Sequence, residues 1–377
     1  MIPLSTIQAE NAALKSKVGP GFVAVFVGAT SGIGQSTLYA LLRSLAPTPS
    51  SPATPSDSTP PHIYLIGRSH TAAQDIITEG KIIHPTATID FLPADVSDIA
   101  EVDRVCDIIK KKEGERKGAT GRINFLCCSQ GNLNLRGWDP NSQNLDRKFT
   151  LNYYSRHRFT HNLLPLLRTP IPSTPTTQPG TILSILGASA EGALDLSNLS
   201  LRTPNTFSGR KCANHSITMN ALMLSEYASR EPSISFLHTS PGIVDTGLLR
   251  ELPWYARMGA RVFVNGFTKL FLPGLVGVEE TGERQLWMGM GGGGRFGGRG
   301  WGAGEGEGQG KGGNVNVERA VGVDGVRGSG GYNVKWDGEV CGNEKVLGPL
   351  RSEGAGKKIW EHTEAIWREI DDGKLNK

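Results

Sequence analysis

The sequence lacks the cysteine patterns that mark zinc proteins and disulfide-stabilised secreted domains. Its five cysteines include an adjacent pair, and no two of them have Cys-x-x-Cys spacing, so we expect no bound metal. An odd number of cysteines without such spacing favours a reducing compartment, and we predict a cytoplasmic location. The five positions are Cys106, Cys127, Cys128, Cys212 and Cys341.

Neither a large charge excess nor an uninterrupted long apolar run is present. The chain has 40 Lys and Arg against 36 Asp and Glu, and a net charge of +4 is too small to argue for nucleic acid as a partner. Glu10 and the absence of an early apolar run lead us to expect no secretory signal. Residues 262–278 are the most apolar later segment, but Lys269 and Pro273 interrupt them. We predict a buried or interfacial helical lid there rather than an integral membrane segment, with contact to one membrane face as the alternative.

Three stretches of biased composition interrupt the chain. Residues 46–61 and 169–180 are rich in Pro, Ser and Thr and predict extended loops. Residues 289–331 are dominated by glycine, and such a run buries too little apolar surface to offset the entropy lost on ordering, so disorder is predicted. Apart from these stretches, residues 1–377 are predicted to form a single domain, which ends in a strand and a helix at residues 332–372.

Short apolar runs alternate with amphipathic segments in the rest of the chain. Helices are predicted over residues 36–45 and 99–111, the second with apolar residues at a period of 3.6. This alternation is typical of crossover connections, and it predicts an α/β fold with a doubly wound parallel sheet covered by helices on both faces. The predicted strands are residues 22–27, 62–66, 88–92, 123–128, 181–186 and 234–238.

A glycine-rich motif, VGATSGIGQST, joins the first strand to the first helix. Gly28, Gly32 and Gly34 allow a tight turn and a close approach of the backbone to a phosphate, which the helix N-terminus also faces. Ser31 and Ile33 belong to the same turn. The strand before and the helix after it favour a dinucleotide site over a turn without a ligand. No Gly-Lys-Ser/Thr follows, so the motif is not that of a nucleoside triphosphatase.

The motifs GATSGIG and SPGIVDTG resemble those of the short-chain dehydrogenase/reductase family, in an atypical and fungal form, over most of residues 18–290. The resemblance implies a Rossmann-type fold and a nicotinamide cofactor. Arg68, after the second strand, could pair with a 2′-phosphate, which favours NADP(H) over NAD(H). The resemblance also places Asp95 and Val96 at the adenine and Gly131 against the cofactor.

In SPGIVDTG, the resemblance implies that the chain turns beneath the nicotinamide at Gly242. It assigns the carboxamide contacts to the backbone of Ile243 and the hydroxyl of Thr246. Asn152 falls on the family's structural asparagine, which helps to hold a proton-relay water.

The resemblance is weakest where catalytic groups are expected. The family's strand-end serine falls, by register, on Gly187. The family's tyrosine and the lysine four residues later admit two registers. In the first, Phe207 replaces the tyrosine and Lys211 is retained; in the second, Ala213 and Ile217 occupy the two positions.

Neither register retains the tyrosine that donates a proton in this family. In the first register His215 shares a helix face with Lys211 and could act as a substitute acid, since its pKa lies near neutrality. In the second register His215 is a structural histidine. A positioned water or Lys211 could also support slower turnover, because acid–base catalysis contributes only part of the rate, about 10²–10⁴-fold.

Three functional interpretations follow. We favour an NADP(H)-dependent oxidoreductase that moves hydride between the cofactor and the carbonyl or alcohol of a moderately apolar small molecule. A cofactor-binding pseudo-enzyme or scaffold without turnover is the alternative. A third interpretation is RNA binding by residues 291–302 through Phe296 and Trp301, although nearby acidic residues dilute the charge and favour a passive insertion. The family commonly forms dimers or tetramers, so a homo-oligomer is a further expectation.

Overall fold

The computed structural model of the protein describes residues 1–47, 59–116, 121–132, 137–168, 180–244, 275–299 and 317–373. Within these ranges seven strands form one parallel sheet: β1 Val23–Val27, β2 His62–Gly67, β3 Thr88–Pro93, β4 Phe125–Cys128, β5 Thr181–Ile185, β6 Ser235–Thr239 and β9 Gly331–Val334. Their order is β3-β2-β1-β4-β5-β6-β9. A separate parallel pair consists of β7 Ile243–Val244 and β8 Leu275–Val276.

Helices connect the strands and cover both faces of the sheet. A π-helical turn, Thr150–Tyr154, joins the helices Arg147–Phe149 and Ser155–Leu167 into one continuous helical segment, and a short 3₁₀ turn covers Gly292–Gly294. The helices are α1 Leu4–Ala12, α2 Leu14–Lys17, α3 Gly32–Leu45, α4 His70–Ile83, α5 Ile99–Glu115, α6 Arg147–Phe149, α7 Ser155–Leu167, α8 Gly209–Arg230, α9 Val278–Gly289, α10 Glu344–Ser352 and α11 Ala355–Asp371.

Side chains of the sheet supply two apolar cores, one on each face. In β1, Val25 packs among residues of α5, α7 and α8, whereas Phe26 packs on the other face among residues of α1, α3 and α9. A strand that is buried on both faces is apolar at every position, which is why the sequence reads as continuous apolar runs there. The doubly wound α/β fold predicted from the sequence is confirmed.

The glycine-rich range predicted to be disordered is partly ordered. Phe296 is fully buried, with its ring centroid 6.0 Å from that of Trp287 and 5.5 Å from that of Tyr332. Residues 317–331 lead into β9 and bury Val323. The prediction was wrong for these parts because a few apolar side chains among the glycines provide the burial that the overall composition conceals. A buried Phe296 is also unavailable for stacking on RNA bases.

Several predicted features fall on residues outside the described ranges. These are most of the two Pro-rich loops, most of the lid predicted over residues 262–278, Trp301 and the central part of the glycine-rich range. Nothing in the structure bears on those predictions.

The C-terminal helix α11 docks on the core of the same chain. Its apolar stripe includes Ile359, Trp360, Ile366 and Trp367, all of which are buried. The ring of Trp360 lies 4.8 Å from that of Tyr227 on α8, in an edge-to-face arrangement. The strand and helix predicted for residues 332–372 correspond to β9 and α11, and α10 lies between them.

Candidate functional site

A cavity of about 420 Å³ lies at the carboxyl ends of β1, β2, β4 and β5. The chain runs from β1 outward to β2 and β3, and then returns to the other side of β1 to form β4, so the cavity lies at the switch point of the sheet. Open α/β sheets bind ligands in this crevice. The sequence-predicted residues that line it are Gly28, Ser31, Gly32, Ile33, Gly34, Arg68, Asp95, Val96, Gly131 and Asn152.

The glycine-rich turn forms the floor of this cavity. Gly28 has φ +81°, and a Cβ built there would lie 2.6 Å from the backbone of Gln130. A Cβ at Gly34 would lie 2.2 Å from Ser129 Oγ. Ser31 precedes the first turn of α3, but its side chain accepts no capping hydrogen bond. The first N–H groups of α3 therefore meet the cavity without a side-chain cap, which suits an anionic group.

The ends of β2 and β3 form one side of the cavity. Arg68, directly after β2, is exposed and lies in the wall. Asp95 Oδ1 accepts hydrogen bonds from the backbone N–H of Ser97 at 3.1 Å and from its hydroxyl at 2.8 Å. These bonds fix the orientation of the Asp95 carboxylate beside the buried Val96.

The structure does not bring the described residues predicted to contact the carboxamide to the cavity wall. Pro241 lines the cavity, whereas Gly242, at φ +79°, and Ile243, which is 46% exposed, do not. Thr246 lies outside the described residues.

Helix α8 contributes Ala213, Ser216 and Ile217 to the wall. This i, i+3, i+4 face is the second of the two registers considered from the sequence, with Ala213 and Ile217 at the positions of the family's tyrosine and lysine. A Cβ at Gly187 would lie 3.0 Å from Ile217 Cδ1. All three positions at which the family resemblance expects a catalytic side chain therefore carry Gly, Ala or Ile.

The structure does not bring Lys211 or His215 to the cavity wall. Lys211 is exposed, and its backbone N–H donates to the Oγ of the N-cap residue Ser208. His215 is buried, its Nε2 accepts from the N–H of Asp195 at 3.1 Å, and its Nδ1 lies 3.3 Å from the carbonyl of Leu199. Burial lowers the pKa of His215, so the ring is neutral at pH 7 and fixes the loop before α8.

Asn152 lies in the π-turn and faces the cavity. Its backbone carbonyl accepts a hydrogen bond of 2.7 Å from Asn220 Nδ2. Its Oδ1 would lie 3.2 Å from a Cβ at Gly131, and this buried oxygen has no hydrogen-bond partner among the described residues. π-Helical turns are rare in proteins, and those that do occur are often found at functional sites.

Arg156 is a cavity residue that the sequence reasoning missed. Its buried guanidinium donates through Nη1 to the carbonyl of Cys128 at 3.0 Å, to Ser184 Oγ at 2.8 Å and to the carbonyl of Ile185 at 2.9 Å. Nη2 donates to the carbonyl of Gln130, and Nε donates to that of Leu151 at 3.2 Å. Burial lowers the pKa of Arg156 to about 10, so it stays charged at neutral pH.

No carboxylate within the described part of the chain forms an ion pair with Arg156. The guanidinium thus ties the ends of β4 and β5 together and leaves a fixed positive charge beneath the cavity. Lys148 was missed as well: it is half-buried and also lines the cavity. Lys148, Asn152 and Arg156 are spaced four residues apart along the α6–α7 segment, a pattern that could have identified both cations once Asn152 was recognised.

None of the helices in the described ranges combines the length and the apolar character that crossing a membrane requires. Groups of His, Cys, Asp or Glu that could hold a metal ion do not occur among those residues.

No model of a known protein family matches the sequence. The chain is 33% identical to oxidoreductase AN1596 of Emericella nidulans over 370 residues, which cover 97% of this chain and 98% of that protein. It is 26% identical to the short-chain dehydrogenase/reductase SAT2 of Stachybotrys chartarum over 68% of this chain and 70% of that protein. Among solved structures, an NADPH-bound carbonyl reductase from chicken fatty liver shares the fold, with a TM-score of 0.51, 16% identity, and coverage of 86% of this chain and 100% of that one.

Proposed function

Because this chain belongs to the fungal oxidoreductases of the short-chain dehydrogenase/reductase family, we propose that it is an NADP(H)-dependent oxidoreductase. Its substrate is the carbonyl or alcohol of a moderately apolar small molecule. The observation that carries the proposal is the cavity at the switch point of the sheet, which has an uncapped helix N-terminus on its floor and Arg68 in its wall.

The residues present suit a dinucleotide with a 2′-phosphate. Gly28 and Gly34 leave the space that a Cβ would fill, and the first turn of α3 offers N–H groups to a pyrophosphate. Arg68 is exposed at the end of β2, where a guanidinium can pair with a 2′-phosphate. Asp95 and Val96 would hold the adenine side. Bound NADPH would supply the hydride that reduces a carbonyl carbon.

Two polar groups suit the reacting end of such a cofactor. The buried Asn152 Oδ1 has no partner among the described residues and can accept a hydrogen bond from a ligand. The fixed charge of Arg156 favours negative charge that develops on a substrate oxygen. Leu186, Ala213 and Ile217 give this part of the wall an apolar surface, which suits a moderately apolar substrate.

A fluorescence titration with NADPH and NADH tests cofactor binding directly. Tighter binding of NADPH is expected, and a lack of binding by either nucleotide would contradict the proposal. NADPH oxidation, followed at 340 nm with a panel of aromatic aldehydes, ketones and quinones, then tests turnover. Binding without oxidation across that panel would favour a cofactor-binding protein without turnover.

A cytoplasmic location and a homo-oligomer remain predictions. All five cysteines are free, and Cys106, Cys127, Cys128 and Cys212 are buried, which suits a reducing compartment. Size-exclusion chromatography with light scattering would measure the oligomeric state.

A further inference from the structure

Resting on the proposed function, we propose that Lys148 is the proton donor to the substrate oxygen, in place of the tyrosine that the family carries on α8. The two residues differ in origin, because the family's tyrosine comes from α8 and Lys148 comes from α6. The inference depends on which groups in the cavity wall can move a proton and on the space that Ala213 leaves.

The hydroxyl and amide groups at this end of the cavity are engaged or unsuited to the task. Ser216 Oγ donates to the carbonyl of Cys212 at 2.8 Å, and Ser129 Oγ donates to that of Val27 at 3.1 Å. An amide such as that of Asn152 does not release a proton near neutral pH.

Arg156 is also excluded as the donor. Its hydrogen bonds to carbonyl oxygens of β4 and β5, and to Ser184, hold the guanidinium in one orientation. Even with its pKa lowered to about 10, releasing a proton would leave those buried carbonyls without their donor. Arg156 therefore acts as a fixed positive charge that stabilises the negative charge developing on the substrate oxygen during reduction.

Lys148 has both a dissociable proton and the required location. Its Nζ lies 3.9 Å from the position that a Cβ would take at Gly209, one helical turn before Ala213 on α8. The ammonium therefore lies beside the first turn of α8, one helical turn from Ala213, and Lys148 and Ala213 line the same cavity. Ala213 lines the cavity without a ring, so it leaves room that the side chain of a tyrosine would fill.

The proposed step balances without any further reactant. Bound NADPH would supply the hydride to the carbonyl carbon, and the π electron pair of the C=O bond would move onto oxygen. Lys148 Nζ gives one N–H proton to that oxygen, and an alcohol forms. The neutral amine then takes a proton from water, which a half-buried side chain can reach.

The first test compares Lys148→Met with the control Lys357→Met. Lys357 is an exposed lysine on α11 and is not part of the cavity wall. With the best substrate of the aldehyde, ketone and quinone panel, we expect Lys148→Met to lower kcat by about 10²-fold or more, with NADPH affinity close to that of the unmodified protein. Lys357→Met should match the unmodified protein. Lys148→Arg should not rescue turnover, because a guanidinium keeps the charge but holds its proton.

The pH profile separates a donor from a merely structural residue. A group that gives up a proton makes the rate of carbonyl reduction depend on pH, so the pH profile of kcat/KM should change shape in Lys148→Met. A loss of turnover in Lys211→Met with Lys148→Met unaffected would overturn the inference and leave the proposed function in place.

A labelling experiment gives a readout that does not depend on turnover. Trace acetylation with acetic anhydride, followed by mass spectrometry of peptides, measures the reactivity of each lysine with and without saturating NADPH. We expect NADPH to slow acetylation of Lys148 several-fold and to leave Lys211 and Lys357 unchanged. Equal rates at Lys148 in both conditions would overturn the inference, and a failure of NADPH to bind would overturn the proposed function along with it.

Discussion

The guanidinium of Arg156 donates a hydrogen bond of 2.8 Å to the hydroxyl of Ser184, and so joins α7 to the end of β5 inside the core. The same side chain reaches the carbonyls of Cys128 and Ile185, on two neighbouring strands. These strand ends form part of the cavity, so one buried cation sets both the shape of the wall and its charge.

Replacing Arg156 should therefore weaken the fold strongly. In Arg156→Met the buried carbonyls of Cys128, Gln130 and Ile185 lose their donor, and we expect the free energy of unfolding to fall by about 3 kcal/mol or more. Ser184→Ala removes a single acceptor and should cost about 1 kcal/mol. Urea unfolding of both variants measures the difference. Equal losses would contradict the idea that the strand-end carbonyls depend on Arg156.

The glycine-rich turn offers a second test. Gly28→Ala forces a Cβ to within 2.6 Å of the Gln130 backbone, at a φ of +81° that costs an alanine about 1–2 kcal/mol on its own. We expect a stability loss larger than that figure, together with loss of NADPH binding in a fluorescence titration.

Gly114→Ala is the matched control for that variant. Gly114 lies in α5, and a Cβ there would meet no atom within 4 Å. This control should be as stable as the unmodified protein or more so, since alanine favours helix by up to about 1 kcal/mol. Unimpaired NADPH binding by Gly28→Ala would contradict the proposed cofactor site.

The sequence was sufficient to predict the fold because the strands are buried on both faces and so appear as apolar runs such as residues 22–27. The glycine motif lines the cavity, and it could be recognised in the sequence because its spacing depends on backbone geometry within a few residues. The order of the strands could be anticipated only through the family resemblance.

The catalytic end was harder to predict because it depends on contacts between distant segments. Two registers of α8 fitted the sequence equally well, and the structure distinguishes them because Ala213 and Ile217 line the cavity whereas Lys211 does not. Arg156 was missed from the sequence because the acceptors that hold it at the strand ends, such as Cys128 and Ser184, lie 28 positions away in either direction. The surroundings of Lys148 were equally hidden, because its Nζ lies near Gly209, in a helix that starts far along the chain.

Cofactor preference provides a third prediction. Arg68→Ala should weaken NADPH binding about tenfold or more, the value of a charge-assisted hydrogen bond, and should leave NADH binding almost unchanged. Arg327→Ala, an exposed arginine that pairs with Glu318, is the control and should change neither affinity. Fluorescence titrations of the two nucleotides measure the ratio. An equal loss of affinity for both nucleotides would mean that Arg68 does not contact the 2′-phosphate.

Acid sensitivity provides the last prediction, from the two histidines that lie close to Arg156. Burial, and then the charge of Arg156, lowers the pKa of His157 and of His238 to about 3 in the folded protein. In the unfolded chain the value is about 6.5, so the unfolded state takes up protons over a range in which the folded state does not. The stability that these two neutral rings contribute is therefore complete above about pH 6.5 and is lost as the pH falls towards 3. At pH 5 we expect each histidine to reduce the free energy of unfolding by about 1–2 kcal/mol relative to pH 7.

His157→Phe keeps an aromatic ring stacked near Tyr227 and removes one titrating group, so its urea midpoint should change less between pH 7 and pH 5. The same pH dependence in both proteins would show that His157 does not stay neutral in the fold.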